Sequence, residues 1–383
     1  MSTAKNPLRR LEDFGQSLWI DYIRRELLGS PDFRRMIEED GLKGMTSNPT
    51  IFDKAIDGSN DYDEQFSSLA RAGKNADEIY EILTTDDIRT ACDALRPIHE
   101  ASHGRHGFVS YEVSPRLATK DTQGTIDAAH RYFKLIDRPN LMVKVPATPA
   151  GLPAIEQLIS EGRNINITLM FSIKHYEAVA EAYIRGLERR AQAGQPLADI
   201  ASVASVFVSR VETLADKRIE EKMRANPRDR AGELRGAAAV ANAKLIYERF
   251  KQIFGGDRFK RLAALGARVQ RPLWASTGTK NSAYSDIKYV QELIGPDTVN
   301  TMPPATMDAF RDHGDPCPTL EEGVEEAREK VARLAEAGID LIDVGEELQR
   351  EGVDSFVRSF DDLLATIRRR LNDQSASHAP APA

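Results

Sequence analysis

A lysine within an otherwise apolar run is a candidate catalytic residue. Lys144 lies in LMVKVPA (141–147), and in a β-strand its side chain shares one face with Met142 and Pro146. An amine among apolar side chains loses the hydration that favours its protonated form, and the neutral amine is the nucleophile of Schiff-base chemistry. The pattern leaves two interpretations open: such a nucleophile, or a lysine that is ion-paired or partly exposed.

Two acidic residues occupy comparable runs. Glu112 lies in FVSYEV (108–113), and Asp21 ends SLWID (17–21). A carboxylate that faces the same interior as a lysine is either its counter-ion or a general base that acts through water. Asp21 taken alone is equally consistent with a helix cap.

Polar side chains recur on one face of three further runs. The alternation of side chains along a strand groups the following residues: Thr46 with Asn48 in 44–48, Asn166 with Thr168 in 166–171, and Ser205 with Phe207 and Ser209 in 202–209. Each group taken alone is more often an interior hydrogen-bond network than a site. Their recurrence in successive runs is what favours a functional interpretation.

A second set of residues suits an anion. Arg210 directly follows the run 202–209, and Ser276 begins STGTKNS (276–282), which also contains Lys280. A turn rich in glycine and hydroxyl groups that leads into a helix offers backbone N–H groups and a cation to a phosphate. A plain turn with solvated side chains is the alternative for each of these residues taken alone.

The runs that carry these residues alternate with amphipathic, helix-like segments. We predict eight strands, at residues 17–21, 44–48, 108–113, 141–147, 166–171, 202–209, 271–276 and 298–304. Strands that alternate with helices pair in parallel, so the pattern favours a single-domain (β/α)8 barrel, with a doubly wound sheet as the alternative. Barrel interiors are normally filled by branched apolar side chains. Polar residues on six strands therefore predict a site at one mouth of the barrel.

Composition limits the class of protein. The chain has 383 residues and a formal net charge of -7, which argues against a basic nucleic-acid surface. We find no run of the about 18 apolar residues that span a bilayer and no secretory signal. We expect a cytoplasmic protein with a flexible N-terminus (1–10), a catalytic barrel (11–372) and a disordered tail (373–383). The polar stretches 188–199 and 221–235 are interpreted as loops or helix ends.

Cofactor motifs are missing from the sequence. Cys92 and Cys317 lie far apart without metal-ligand spacing, and the seven histidines are scattered. Neither a dinucleotide-binding GxGxxG nor a P-loop motif follows any predicted strand. We therefore assign no metal and no cofactor.

Three motifs in order give the chain a family resemblance. GMTSNPT (44–50), LMVKVPAT (141–148) and INITL (165–169) resemble the motifs of transaldolases, in the longer bacterial branch of this Schiff-base enzyme family of the pentose phosphate pathway. The match extends from about Asp13 to beyond Arg311. The resemblance implies a (β/α)8 barrel that transfers a dihydroxyacetone unit from sedoheptulose 7-phosphate or fructose 6-phosphate to glyceraldehyde 3-phosphate or erythrose 4-phosphate.

The resemblance also implies roles for individual residues. Lys144 corresponds to the Schiff-base lysine, and Asp21 to the acid that handles the substrate hydroxyl proton. Glu112 and Thr168 correspond to the pair that holds and polarises the catalytic water. The remaining positions, which bind substrate, are Thr46, Asn48, Asn166, Ser205, Phe207, Arg210 and Ser276. The expected partners are sugar phosphates alone, with neither nucleic acid nor membrane, and the expected state is a monomer or a homodimer.

Two comparisons within the family bear on specificity. The fructose-6-phosphate aldolase branch tends to have glutamine at the position of Glu112 and tyrosine at that of Phe207, so this chain favours transfer over simple cleavage. Many transaldolases have a second arginine just after the serine, where this chain has Thr277 and Gly278. Lys280 is the candidate for that charge, although a lysine is a point charge and not a bidentate fork. An aldolase that releases dihydroxyacetone and a non-catalytic barrel that binds sugar phosphates are the alternatives.

Overall fold

Eight parallel strands close into a barrel in sequence order. The computed structural model describes residues 6–117, 120–226 and 230–377, with side chains as far as residue 373. The strands are β1 (Gln16–Asp21), β2 (Gly44–Thr46), β3 (Phe108–Glu112), β4 (Leu141–Pro146), β5 (Ile165–Met170), β6 (Ser202–Phe207), β7 (Arg271–Ala275) and β8 (Thr298–Met302). The predicted (β/α)8 fold class is confirmed, and each predicted strand overlaps one strand of the barrel.

Helices surround the barrel. They are α1 (Pro7–Arg10), α2 (Arg25–Leu28), α3 (Pro31–Arg35), α4 (Pro49–Asp57), α5 (Asp63–Arg71), α6 (Ala76–Ala101), α7 (Thr122–Ile136), α8 (Gly151–Ser160), α9 (Ile173–Gln192), α10 (Ser209–Ala225), α11 (Ala238–Phe254), α12 (Asp257–Ala263), α13 (Lys288–Gln291), α14 (Pro304–His313), α15 (Val324–Glu336) and α16 (Leu341–Ser377). Within the described ranges, none of these helices has the length and apolar character needed to cross a membrane.

Three strands end earlier than predicted because a helix begins within the predicted run or directly after it. Asn48 is the N-cap of α4, since its side-chain oxygen accepts a hydrogen bond from the Ile51 N–H at 3.0 Å, and Pro49 suits the first helical position. Ser209 and Pro304 are likewise the first residues of α10 and α14. Several predicted site residues therefore lie at strand-to-helix junctions, where side chains reach the barrel mouth.

A tryptophan fills the middle of the barrel interior. Trp19 in β1 is fully buried, and a Cβ atom added at Gly44 in β2 would lie 2.3 Å from its ring. Only glycine leaves room for the indole at this point. Along the inward face of β1, Trp19 lies between Ser17 and Asp21.

The long helix α16 crosses the C-terminal mouth of the barrel. The Gln349 amide donates hydrogen bonds to the carbonyl oxygens of Ala147 (3.0 Å) and Leu169 (3.1 Å), at the ends of β4 and β5. A Cβ atom added at Gly345 would lie 2.8 Å from the Ser172 Cβ, so the helix approaches the barrel closely. The sequence did not predict this cover over the mouth.

The predicted terminal and loop segments are partly helical in the described residues. Helix α1 lies within the predicted N-terminus 1–10, and α16 reaches into the predicted tail 373–383; residues 1–5 and 378–383 lie outside the described residues. In the stretch 188–199, α9 continues to Gln192 before the chain leaves the helix. In 221–235, α10 ends at Ala225 and a 3-10 helix follows, with residues 227–229 outside the described ranges.

Candidate active site

A buried lysine and a buried glutamate face each other at the C-terminal end of the barrel. Lys144 and Glu112 are register partners on β4 and β3, so alternation points both side chains into the interior. The Lys144 Nζ lies 3.4 Å from the Glu112 Oε2, and the two residues are 4% and 5% exposed. The same Nζ donates to the Ser47 carbonyl oxygen at 3.3 Å. The amine is therefore fixed between β3 and the segment after β2.

The Glu112 carboxyl suits proton transfer near neutral pH. Burial raises the pKa of Glu112 to about 7, an effect that the nearby Lys144 ammonium partly offsets. A group with a pKa near the working pH exchanges protons most effectively. The carboxyl thus has the property required of an acid and base beside the amine.

Three polar atoms at this pair and beside it lack hydrogen-bond partners within the described residues. Within the described residues, neither Glu112 carboxylate oxygen nor the buried Thr168 hydroxyl makes a hydrogen bond. Buried polar atoms normally have partners, which include ordered water and ligand. Thr168 is on β5, whose neighbour β4 carries Lys144. These atoms are therefore suited to hold a water molecule or a substrate group near the amine.

A bulge shapes the end of β5 directly after Thr168. The pairing of β5 with β6 shifts register between Ile167 and Met170, and Leu169 has a φ of 60°. Bulges near sites redirect side chains at the end of a strand, and a left-handed leucine is strained. The Leu169 carbonyl oxygen accepts the hydrogen bond from Gln349 described above. Helix α16 thus stabilises the strained end of β5.

Asp21 belongs to a hydrogen-bonded group on the opposite wall. The Thr46 Oγ1 donates to the Asp21 Oδ1 at 2.6 Å and lies 2.7 Å from the Thr301 Oγ1. Burial raises the pKa of Asp21, while the Lys144 charge and the Thr46 hydrogen bond oppose that rise. Thr301 was not predicted as a site residue, although alternation in the run 298–304 places it on the inward face.

Asn166 and Ser205 form an interior network. The Asn166 Nδ2 donates to the Ser110 Oγ at 2.9 Å, and the Ser205 Oγ donates to the Asn166 Oδ1 at 2.7 Å. The network ties β3, β5 and β6 together below the amine. Ser205 lines the cavity described next, whereas Asn166 lies behind it.

A cavity of about 320 Å³ opens above Lys144 at the C-terminal mouth. Nine of the twelve predicted site residues line it, namely Asp21, Thr46, Asn48, Lys144, Ser205, Phe207, Arg210, Ser276 and Lys280. The other three, Glu112, Asn166 and Thr168, are buried in the strands around it. The structure therefore brings the predicted residues to one place.

Cations without acidic partners gather around the cavity. The Arg210 guanidinium lies over the rings of Phe207 and Phe356, at 5.2 and 5.9 Å from their centroids. In the described parts of the chain, Arg210, Lys280 and Lys54 form no ion pair with a carboxylate. Burial lowers the pKa of Arg210. Excess positive charge at a cavity mouth suits an anion such as a phosphate.

Sequence reasoning missed further lining residues, among them Lys54 and Phe356. Lys54 lies on α4, six residues after Asn48, and only the direction of that helix brings it to the mouth. Phe356 reaches the cavity from α16, which is distant in sequence. Neither residue carries a local signal. Within the described ranges, no three His, Cys, Asp or Glu side chains converge in a metal-binding arrangement.

Comparison with known proteins places the chain in a family. The family model described as Transaldolase/Fructose-6-phosphate aldolase matches residues 18–367. A relative from Saccharopolyspora erythraea, named Transaldolase, is 48% identical over 97% of this chain and 99% of its own length. Relatives of the same name from Trichodesmium erythraeum and Mycobacterium leprae are 45% and 46% identical, over 96% and 97% of this chain and 98% of their own lengths. The chain therefore belongs to the transaldolase/fructose-6-phosphate aldolase family.

Proposed function

We propose that this chain is a transaldolase that works through a Schiff base on Lys144. The observation that carries the proposal is the enclosed Lys144 amine, 3.4 Å from a glutamate whose pKa burial raises to about 7. The amine lines a cavity that Arg210, Lys280 and Lys54 also line. Relatives named Transaldolase that match nearly the whole chain support the same activity.

Schiff-base formation uses the groups around the amine. The neutral Lys144 Nζ attacks the C2 carbonyl of sedoheptulose 7-phosphate or fructose 6-phosphate and gives a carbinolamine. Glu112, through a water held with Thr168, protonates the C2 hydroxyl, which leaves as water. The product is a protonated imine, in which C2 is an electron sink. Because Glu112 both gives and takes protons in this sequence, a pKa near neutrality favours the step.

Carbon–carbon cleavage requires a base on the other side of the substrate. Asp21 accepts the proton of the C4 hydroxyl, the C3–C4 bond breaks, and its electron pair moves into the imine to give an enamine. The aldose phosphate then leaves. The three-carbon enamine stays on Lys144 until glyceraldehyde 3-phosphate or erythrose 4-phosphate accepts it by the reverse steps. Helix α16 limits water at this mouth, and exclusion of water favours transfer over hydrolysis.

The cations at the cavity mouth are assigned to the substrate phosphate. Arg210 offers a planar guanidinium already held over Phe207. The Ser276 Oγ lies 2.9 Å from the Ser209 Oγ at the start of α10, and Lys280 follows in the same loop as Ser276. We place the enzyme in the pentose phosphate pathway of the cytoplasm, as a monomer or a homodimer without a cofactor.

Reductive trapping tests the proposal. Borohydride is added to the protein with fructose 6-phosphate, and the modified lysine is located by peptide mass mapping. We expect a three-carbon adduct on Lys144 and no adduct in Lys144→Ala. Lys54 and Lys280 line the same cavity and serve as internal controls. An adduct on either of them in place of Lys144, or no adduct, contradicts the proposal.

A second measurement separates transfer from simple cleavage. Free dihydroxyacetone is assayed with fructose 6-phosphate alone and with an acceptor aldose phosphate added. We expect sustained turnover only with the acceptor. Sustained release of dihydroxyacetone without an acceptor shows an aldolase and overturns the assignment as a transferase.

A further inference from the structure

A second cavity lies at the opposite, N-terminal mouth of the barrel. Its volume is about 420 Å³. Three arginines line it, namely Arg105, Arg268 and Arg271, and we call it the arginine cavity. Arg271 begins β7, whereas Ala275 at the end of the same strand lines the catalytic cavity. A rise of about 3.3 Å per residue separates the two positions by about 13 Å. The two cavities are therefore distinct.

Arg271 is a buried cation whose partners are neutral. The residue is 7% exposed, and its guanidinium donates to the Ser17 Oγ at 2.9 Å and to the Arg105 carbonyl oxygen at 3.0 Å. Within the described residues, no carboxylate forms an ion pair with it. A buried charge is normally paired with an opposite charge. The hydrogen bonds orient Arg271 but supply no negative charge.

Arg268 is also held by backbone carbonyl oxygens of the segment that contains Arg105. Its guanidinium donates to the Gly104 carbonyl oxygen at 2.6 Å and to the His103 carbonyl oxygen at 2.7 Å. Both guanidinium groups are thus anchored to carbonyls of residues 103–105. This arrangement fixes two planar cations beside one cavity without using a carboxylate.

The single acid of the cavity lining does not balance the charge. Asp297 pairs with Arg105 at 2.7 Å, and both side chains are about half exposed. Three arginines and one aspartate leave a formal charge of about +2. Burial lowers the pKa of Arg271 to about 10, the like charges of Arg105 and Arg268 contribute to this shift, and the Asp297 carboxylate partly offsets it. The nearby His106 adds no charge, because burial lowers its pKa to about 3.

We propose that the arginine cavity binds a phosphate dianion, either free or as the monoester of a small molecule. Guanidinium forks match the oxygen geometry of phosphate, and the missing charge is that of one dianion. A volume of about 420 Å³ lies in the range of small-molecule pockets. A nucleic acid is a poorer match, since the chain carries a net charge of -7.

Direct binding of inorganic phosphate tests the site. Because the proposed function places a phosphate at the other mouth, the titration uses Arg210→Gln, which weakens that site. Calorimetry is performed at about pH 8, where phosphate is mostly dianionic, with sodium chloride keeping the ionic strength constant. We expect one remaining site in Arg210→Gln and at least about tenfold weaker binding when Arg268→Gln is added, since charge-assisted hydrogen bonds are lost.

Matched controls isolate the effect. Arg96→Gln removes an arginine from a solvent-exposed ion pair with Glu100 on α6 and should leave the binding unchanged. Arg105→Gln is a second variant at a more exposed position, for use if Arg268→Gln alters the thermal unfolding transition. Glycerol 3-phosphate, which has no carbonyl, distinguishes the sources: tighter binding than inorganic phosphate identifies a monoester as occupant, and weaker binding identifies free phosphate.

Two results overturn the proposal. One is the complete loss of phosphate binding in Arg210→Gln alone. The other is unchanged affinity when Arg268→Gln and Arg105→Gln are each added to Arg210→Gln. Neither measurement depends on turnover, so the outcome is independent of whether the chain is a transaldolase.

Discussion

The two mouths of the barrel bury charge in opposite ways. At the C-terminal mouth, Lys144 and Glu112 lie 3.4 Å apart, and Asp21 faces the same cavity. At the N-terminal mouth, Arg271 and Arg268 are held by carbonyl and hydroxyl oxygens. Opposite charges at close range permit proton transfer, whereas like charges held by neutral groups favour capture of an anion. One barrel thus supports two different kinds of polar site.

Backbone strain also differs between the mouths. Of five non-glycine residues with positive φ in the described chain, Leu169 and Ser276 lie at the C-terminal mouth and His103 and Asp297 at the N-terminal one. Histidine and aspartate adopt the left-handed region comparatively readily, whereas leucine does so at greater cost. The C-terminal mouth therefore carries the greater strain, as expected where side chains must be positioned for chemistry.

The largest expected effect concerns the amine. Lys144→Ala should lower kcat by about 10⁴-fold or more, because removal of a covalent nucleophile leaves only binding and positioning. Lys54→Ala is the matched control, since Lys54 lines the same cavity from α4. Steady-state turnover of fructose 6-phosphate with an acceptor gives both values. Substantial turnover by Lys144→Ala would remove the functional distinction drawn between the two mouths.

The next effect concerns the acid beside the amine. Glu112→Gln should lower kcat by about 10²- to 10³-fold, the usual range for loss of a general acid and base. Glu212 is a matched control, because burial also raises its pKa to about 7 although it lies outside the catalytic cavity. Glu212→Gln keeps an oxygen for the Ala238 N–H and should keep most activity. Equal losses in both variants would show that buried carboxyls act on turnover through stability alone.

The same glutamate should make stability depend on pH. Its pKa is raised from an ordinary 4.5 to about 7, so the folded protein retains a proton that the unfolded chain releases. This contribution is complete below about pH 4.5 and is lost as pH rises through about 7. The free energy of unfolding of the wild type should therefore fall relative to Glu112→Gln between about pH 5 and 8, by up to roughly 3 kcal/mol.

Urea unfolding at several pH values measures this difference. The variant also removes the carboxylate that faces the Lys144 amine, which adds an offset to its stability. The test is therefore how the difference in free energy of unfolding changes with pH, and its constant part carries no information about Glu112. A difference that stays constant from pH 5 to 8 would show that Glu112 is ionised throughout and is only a counter-ion.

Short apolar runs predicted the strands, and the alternation of side chains along them indicated which residues face inward. Lys144 and Glu112 were identified because a period of two residues fixes which side chains face inward. The same rule places Arg271 on the inward face of β7, so that signal was present in the sequence. By contrast, Lys54 and Phe356 reach the catalytic cavity through the directions of α4 and α16, which depend on packing between distant segments. Helix period alone contains no such information.

The smallest expected effects concern the cations at the mouths. Arg210→Gln should raise KM for fructose 6-phosphate by about tenfold or more, because a semi-buried guanidinium makes charge-assisted hydrogen bonds. Lys280→Gln and Lys54→Gln should each raise KM only about two- to fivefold, since exposed ammonium groups interact weakly in water.

Arg268→Gln removes the same charge as Arg210→Gln at the other mouth and should leave KM unchanged. A KM increase in Arg268→Gln as large as that in Arg210→Gln would mean that the protein's overall charge, and not the catalytic mouth, attracts the substrate. A larger effect from Lys54 than from Lys280 would place the phosphate nearer to α4 than to the loop after β7.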